Sequence, residues 1–221
     1  MKKLLYVSVN SKPEQLSASK TVARAFINKY LEKNKNYQLE ELDLYTSHIP
    51  RLKYQYFDGR NAMIKKDAIA NLSPKQQEEA HKIGELTDQF VAADMIVFAA
   101  PMWSLSFPAP LKEYLDCIVM DGKTISLSKN KVDGLLDDKP RKVVYVQSSG
   151  AELNPLTKMI LNRGVNYVKD LMHLMGIKKF DDILVDGTGY TELEKNIAVE
   201  KAISKIDMKI EFMEKLEKIG V

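Results

Sequence analysis

The chain has 221 residues, 45% hydrophobic and 29% charged, with 33 basic and 30 acidic side chains and a net charge of +3. That length supports one large domain with a full core and not two, so a single domain over 1–221 is expected. No basic stripe interleaved with aromatics argues for nucleic-acid binding, no apolar run approaches a membrane span, and the one cysteine, Cys117, excludes an internal disulfide and suits a reducing cytoplasm.

Strand and helix patterns alternate along the chain. Lys3–Val9 is a short apolar run that stops at Asn10, too short for the core of a signal peptide, so a first strand is expected and no leader. A polar loop leads into a helix from about Ser17 to Glu32. Gln38–Leu44 alternates apolar and polar residues, as a half-buried strand does. Ser73-Pro74 opens the next helix with a cap residue and a proline at its first position, and Ile83, Leu86, Phe90 and Val91 share one face. Met95–Ala100 is continuously apolar, the pattern of a strand covered on both sides. After the loop Pro101-Met102-Trp103-Ser104, a helix begins with Pro108 and Pro110 near its start. Lys142–Val146 is a second covered strand, and Ile183–Val185 ends a weaker one. Between them a helix near Leu156–Met175 is stopped by Gly176. The last helix, about Leu193–Ile219, carries Ile203, Ile206, Ile210, Met213 and Leu216 at helical spacing. Five strands with intervening helices imply right-handed crossovers and a doubly wound α/β fold, a mostly parallel sheet with helices on both faces.

Two long connections, Tyr45–Leu72 and Gly122–Asp138, are of the kind that usually carry function. The first contains Tyr54, Tyr56 and Phe57. These aromatics suit either an exposed pocket rim or a flap folded over the sheet edge.

Three loops offer chemistry, each at the carboxyl end of an expected strand. Asn10–Ser19 places Ser17, Ala18 and Ser19 where a helix begins, and free N–H groups with the helix dipole favour an anion there. Ser17 serves equally well as a plain helix cap. The loop contains neither GxxxxGK[ST] nor GxGxxG. Pro101-Met102-Trp103-Ser104-Leu105 combines a flat aromatic, a hydroxyl and unpaired backbone N–H groups, a set that suits a planar heterocycle with polar edges. Ser148-Ser149-Gly150-Ala151 allows close backbone approach to a ligand, or makes an ordinary turn. In a sheet of order 2-1-3-4-5 the three loops surround one switch-point crevice. His48, His81 and His173 lack ligand-like spacing, so no metal site is expected. No GxSxG elbow is present. Cys117 lies in an apolar helical stretch, which marks a buried structural cysteine rather than a nucleophile.

These residues resemble the FMN-dependent NADH:quinone oxidoreductases called azoreductases, over nearly the whole chain. The carriers are Val9-Asn10, Ser17-Ala18-Ser19, Leu72–Gln77, Phe98–Trp103, Pro110–Asp116, Gly122-Lys123-Thr124 and Gly134-Leu135, with Ala99–Asp116 the most specific. The resemblance implies a flavodoxin-like doubly wound five-stranded parallel sheet, order 2-1-3-4-5. It implies one bound FMN per subunit, NADH as donor, and two-electron ping-pong hydride transfer through flavin N5 to quinones or aromatic azo compounds, with no side chain needed as general acid. Ser17, Ala18 and Ser19 match the triplet that holds the FMN phosphate. Met102, Trp103, Ser104 and Leu105 match the loop along the isoalloxazine, and Ser148, Ser149, Gly150 and Ala151 match the loop at the pyrimidine edge; Asn10 and Pro101 adjoin them. Members are homodimers, with Phe107, Ile118 and Tyr54–Phe57 suggested for the interface here.

This chain departs from the family at Ser104-Leu105 (usually Asn and Phe), at Ile125-Ser126-Leu127 (Phe, a charge, Tyr) and at Ser149 (Arg). These departures leave substrate range and flavin potential open. The rival reading is a flavodoxin-like FMN electron carrier without turnover of its own, a class that is typically smaller and strongly acidic.

Overall fold

The computed structural model describes residues 1–152 and 161–218. In chain order the elements are β1 (Lys2–Ser8), α1 (Ala18–Lys33), β2 (Tyr37–Asp43), the single-turn α2 (Lys66–Ile69), α3 (Pro74–Ala92), β3 (Met95–Pro101) and α4 (Ala109–Ile118). They continue with β4 (Ile125–Leu127), β5 (Val132–Gly134), β6 (Lys142–Ser149), α5 (Arg163–Leu174), β7 (Lys179–Asp186), α6 (Glu192–Ile203) and α7 (Ile206–Lys218).

Five strands pair in parallel in the order β2-β1-β3-β6-β7, and β4 and β5 form a separate antiparallel hairpin. Strand alternation sends successive side chains to opposite faces, so the sheet feeds two cores. Leu5, Val7, Ile96, Phe98, Val143 and Tyr145 pack under α3, α4 and α5. Leu4, Tyr6, Met95, Val97, Val144 and Val146 pack under α1, α6 and α7. Each fully buried side chain of this size contributes on the order of 1.5–3 kcal/mol, and burial on both faces explains the unbroken apolar runs of β3 and β6.

α3 starts as its sequence predicts. Ser73 caps Gln76 N–H, and the Gln76 side chain returns to Ser73 N–H, a reciprocal capping box. Gly176, at φ +97, follows the end of α5, the left-handed position that glycine adopts after a helix. The β4–β5 hairpin docks against that helix end. A Cβ on Gly134 would lie 2.3 Å from Gly176 N, so only glycine permits the approach.

Several expectations are corrected. The hairpin lies inside the long connection Gly122–Asp138, whose strands have three residues each, too short for a visible alternation. The last helix is two helices, interrupted at Ser204-Lys205. Ile118 and Tyr56 are fully buried within this chain and cannot serve a subunit interface, while Tyr54 is exposed and Phe57 packs against the core. The expected helix start near Leu156, the residue Ile219 and the side chain of Leu216 lie outside the described residues. Cys117 is buried, its thiol donates to Pro50 C=O at 3.4 Å, and burial among nearby carboxylates pushes it up to about 12.

Candidate functional site

A cleft of about 290 Å³ opens at the carboxyl ends of β1, β3, β6 and β7. Its walls include Asn10, Ser17 and Ala18 from the first loop, Pro101, Met102 and Trp103 from the second, and Ser148, Ser149 and Gly150 from the third. The three loops that the sequence singles out therefore meet in one place. Ser19, Ser104, Leu105 and Ala151 are not among its walls. Ser19 sits behind Ser17, fully buried.

The first wall is a chain of hydrogen bonds. Asn10 Nδ2 donates to Ser17 Oγ at 2.9 Å, and Asn10 Oδ1 accepts from Lys12 N–H at 3.0 Å. Ser17 Oγ lies 3.3 Å from Ser19 Oγ and accepts from Lys20 N–H at 3.4 Å. Ser17 is thus the cap of α1, and it also faces the cleft. The Ala18 and Ser19 N–H groups lie in the first turn, where a helix offers no acceptor of its own. Lys20 fixes this loop from behind: its ammonium donates to Asp43 at 2.8 Å and to Lys12 C=O at 3.2 Å. Burial raises the Asp43 carboxyl, but bonds from Lys20, Tyr45 N–H and Ser8 outweigh it and hold that group below the usual carboxylate range.

The second wall continues β3. Met102 N–H donates to Ser148 C=O at 2.7 Å, one step beyond the Pro101↔Ser148 pair. Trp103 and Ser106 then exchange two backbone bonds, 3.1 and 2.9 Å, around Ser104 and Leu105, whose φ values are +49 and +64. Positive φ at both central residues is a type I′ turn, which glycine and asparagine favour. Leu105 takes this conformation with a bulky side chain, a strained choice. Trp103 is 48% exposed.

The third wall has a support that the motifs do not reveal. Gly187 N–H donates to Ala151 C=O, Thr188 N–H to Ser149 C=O and Gly189 N–H to Gly150 C=O, at 3.2, 3.0 and 3.1 Å. The loop Gly187–Thr191 continues the β6–β7 pairing and closes the cleft with Thr188 and Tyr190, joined by Lys195 from α6, while Lys12 and Leu16 complete the opposite rim. Its signal was present in the sequence as Gly187-Thr188-Gly189-Tyr190-Thr191 directly after a strand. Thr191 then caps α6 in a second reciprocal box with Glu194.

Donors at a helix start, an aromatic wall and small residues at strand ends define an open α/β protein of flavodoxin type, and residues 2–210 match the family model described as a flavodoxin-like fold. The FMN-dependent NADH:quinone oxidoreductase of Clostridium botulinum is 62% identical over 212 residues, covering 96% of this chain and 99% of that protein. The enzyme of the same description from Ruminiclostridium cellulolyticum is 56% identical over 207 residues, covering 94% and 97%. A solved FMN-dependent NADH-azoreductase from Bacillus anthracis, in complex with FMN, is similar at a TM-score of 0.81 and 21% identity, covering 96% and 99%; this likeness is one of fold. The chain belongs to the family of FMN-dependent NADH:quinone oxidoreductases.

Proposed function

We propose that this chain is an FMN-dependent NADH:quinone oxidoreductase that also reductively cleaves aromatic azo compounds. The observation that carries this reading is the convergence of Ser17-Ala18, Pro101–Trp103 and Ser148–Gly150 on one cleft. The donor set fits FMN: paired hydroxyls and helix-start N–H groups for a phosphate, an aromatic wall for a flat ring, and backbone at strand ends for polar edges. When bound, FMN supplies two-electron chemistry, taking a hydride from NADH and passing it to the acceptor.

The chain's own residues bind and orient. Ser17 and the N–H groups of Ala18 and Ser19 would hold the phosphate. Met102, Trp103, Ser104 and Leu105 would lie along the ring, with Trp103 and the turn it begins setting the side left for donor and acceptor. Ser148, Ser149, Gly150 and Ala151 would meet the opposite edge, held there by the Gly187–Thr191 loop. No side chain is assigned a proton, because the cleft is open to water.

A single domain over 1–221 in the order 2-1-3-4-5, counting sheet strands alone, is part of this reading. So is a homodimer, supported by the exposed Trp103, Leu105 and Tyr167 near the cleft and its second wall. Placement in the cytoplasm rests on the one thiol. Among the described residues no helix is long and apolar enough to cross a membrane.

The test is direct. The purified protein, soaked in FMN, should show flavin absorbance, and NADH oxidation should accelerate when a simple quinone is added. Flavin absorbance without quinone-dependent oxidation would favour an electron carrier, and no retained flavin would reject both.

A further inference from the structure

We infer that Lys195, together with Lys12, supplies the counter-charge for the phosphate of FMN in the cleft; the inference rests on the cofactor reading above. A phosphate monoester carries a charge of about −1.5 to −2 near neutral pH. The hydroxyls and N–H groups at Ser17–Ser19 offer hydrogen bonds and a partial dipole charge but no full cation.

Two cations of α1 are engaged elsewhere. Lys20 donates to Asp43 and Lys12 C=O, and Arg24 is divided between Glu14 and Glu41. The charged side chains on the cleft wall are Lys12, Lys195 and Glu192. Lys195 lies on the fourth residue of α6, close to the positive end of the helix dipole, where a cation is disfavoured without an anion to meet it. Its side chain is only 15% exposed, and its ion-pair partner Glu192 is 76% exposed. That carboxylate can turn to water while the ammonium stays on the wall. The hydroxyls of Thr188 and Thr191 each spend their single hydrogen, on Ser149 C=O and Glu194, whereas the Lys195 ammonium has three and gives one to Glu192, so it can still donate to an added anion.

The experiment compares two ligands that differ by the phosphate. Flavin-stripped full-length protein is titrated with FMN and with riboflavin by fluorescence quenching, for wild type, K195M, K12M and K195R. In K195M, FMN affinity is expected to fall on the order of tenfold, with riboflavin affinity unchanged and a weaker salt dependence of FMN binding. K12M should show a smaller loss of the same kind, and K195R should retain most of the affinity. Equal losses for both flavins, or no loss for either, would overturn the assignment. If the wild-type protein binds neither flavin, the cofactor reading fails and the lysine assignment falls with it. If wild type, K195M and K12M all bind FMN equally tightly, only the lysine assignment fails.

Discussion

At the head of α1, Asn10, Ser17 and Ser19 hold one another through side-chain bonds, with Lys20 and Asp43 bracing them from behind. Across the cleft, Ser104 and Leu105 occupy left-handed backbone in an exposed turn closed by two backbone bonds. The side chains of the first wall are bonded to one another, and the second wall stores strain beside an exposed tryptophan. On the proposed reading the first wall would meet a phosphate, which demands fixed donors at a fixed place, and the second would meet acceptor rings, for which shape counts for more than bonds. Strain kept at such a site is a recognised arrangement.

The largest expected effect comes from dismantling the ordered wall. Ser17→Ala with Ser19→Ala should weaken FMN binding by about one to two orders of magnitude, through the lost bond from the Ser17 hydroxyl to a charged group and the lost Ser19 contact that holds that hydroxyl in place, as read by titration of the stripped protein. An unchanged affinity would remove the phosphate from this wall. Next is the brace: Lys20→Met leaves the Asp43 carboxylate without its cation and should cost about 2 kcal/mol in urea unfolding, less than a fully buried pair because Asp43 is partly exposed.

Acid should probe the same brace more gently. The folded Asp43 carboxyl lies below its usual range, and an unfolded aspartate titrates near pH 3.9. The stabilisation is therefore present above about pH 4 and fades as pH falls through the lower folded value. Acid unfolding of Lys20→Met should show a smaller dependence below pH 4 than wild type; identical curves would separate Asp43 from the effect. The smallest change belongs to the strained wall. Leu105→Gly removes the left-handed penalty of roughly 1–2 kcal/mol and adds part of it back as unfolded-state entropy, so a gain of about 0.5–1 kcal/mol is expected in thermal unfolding. A loss of stability would show that Leu105 is held there by packing rather than tolerated under strain.

Much of this was written in the chain. Apolar runs at Met95–Ala100 and Lys142–Val146 announced the covered central strands, and Ser73-Pro74 announced a helix start that proved to be a full capping box. The meeting of the three loops followed from strand order alone. What stayed hidden has physical reasons. The β4–β5 strands are too short to show a period. Ser204 keeps helical dihedrals, φ −60 and ψ −19, so the apolar spacing from Ile203 to Ile206 and Ile210 runs on across the break. The Gly187–Thr191 loop supports its neighbours through backbone bonds, which no side-chain motif records. The turn at Ser104-Leu105 has neither the asparagine nor the glycine that would have signalled it.

The bond from Met102 N–H to Ser148 C=O has a mechanical meaning. It extends the β3–β6 ladder past the sheet and into the rim, so the aromatic wall and the small-residue wall ride on one continuous ribbon. A change that disturbs the backbone of one loop is therefore passed to the other through that shared bond.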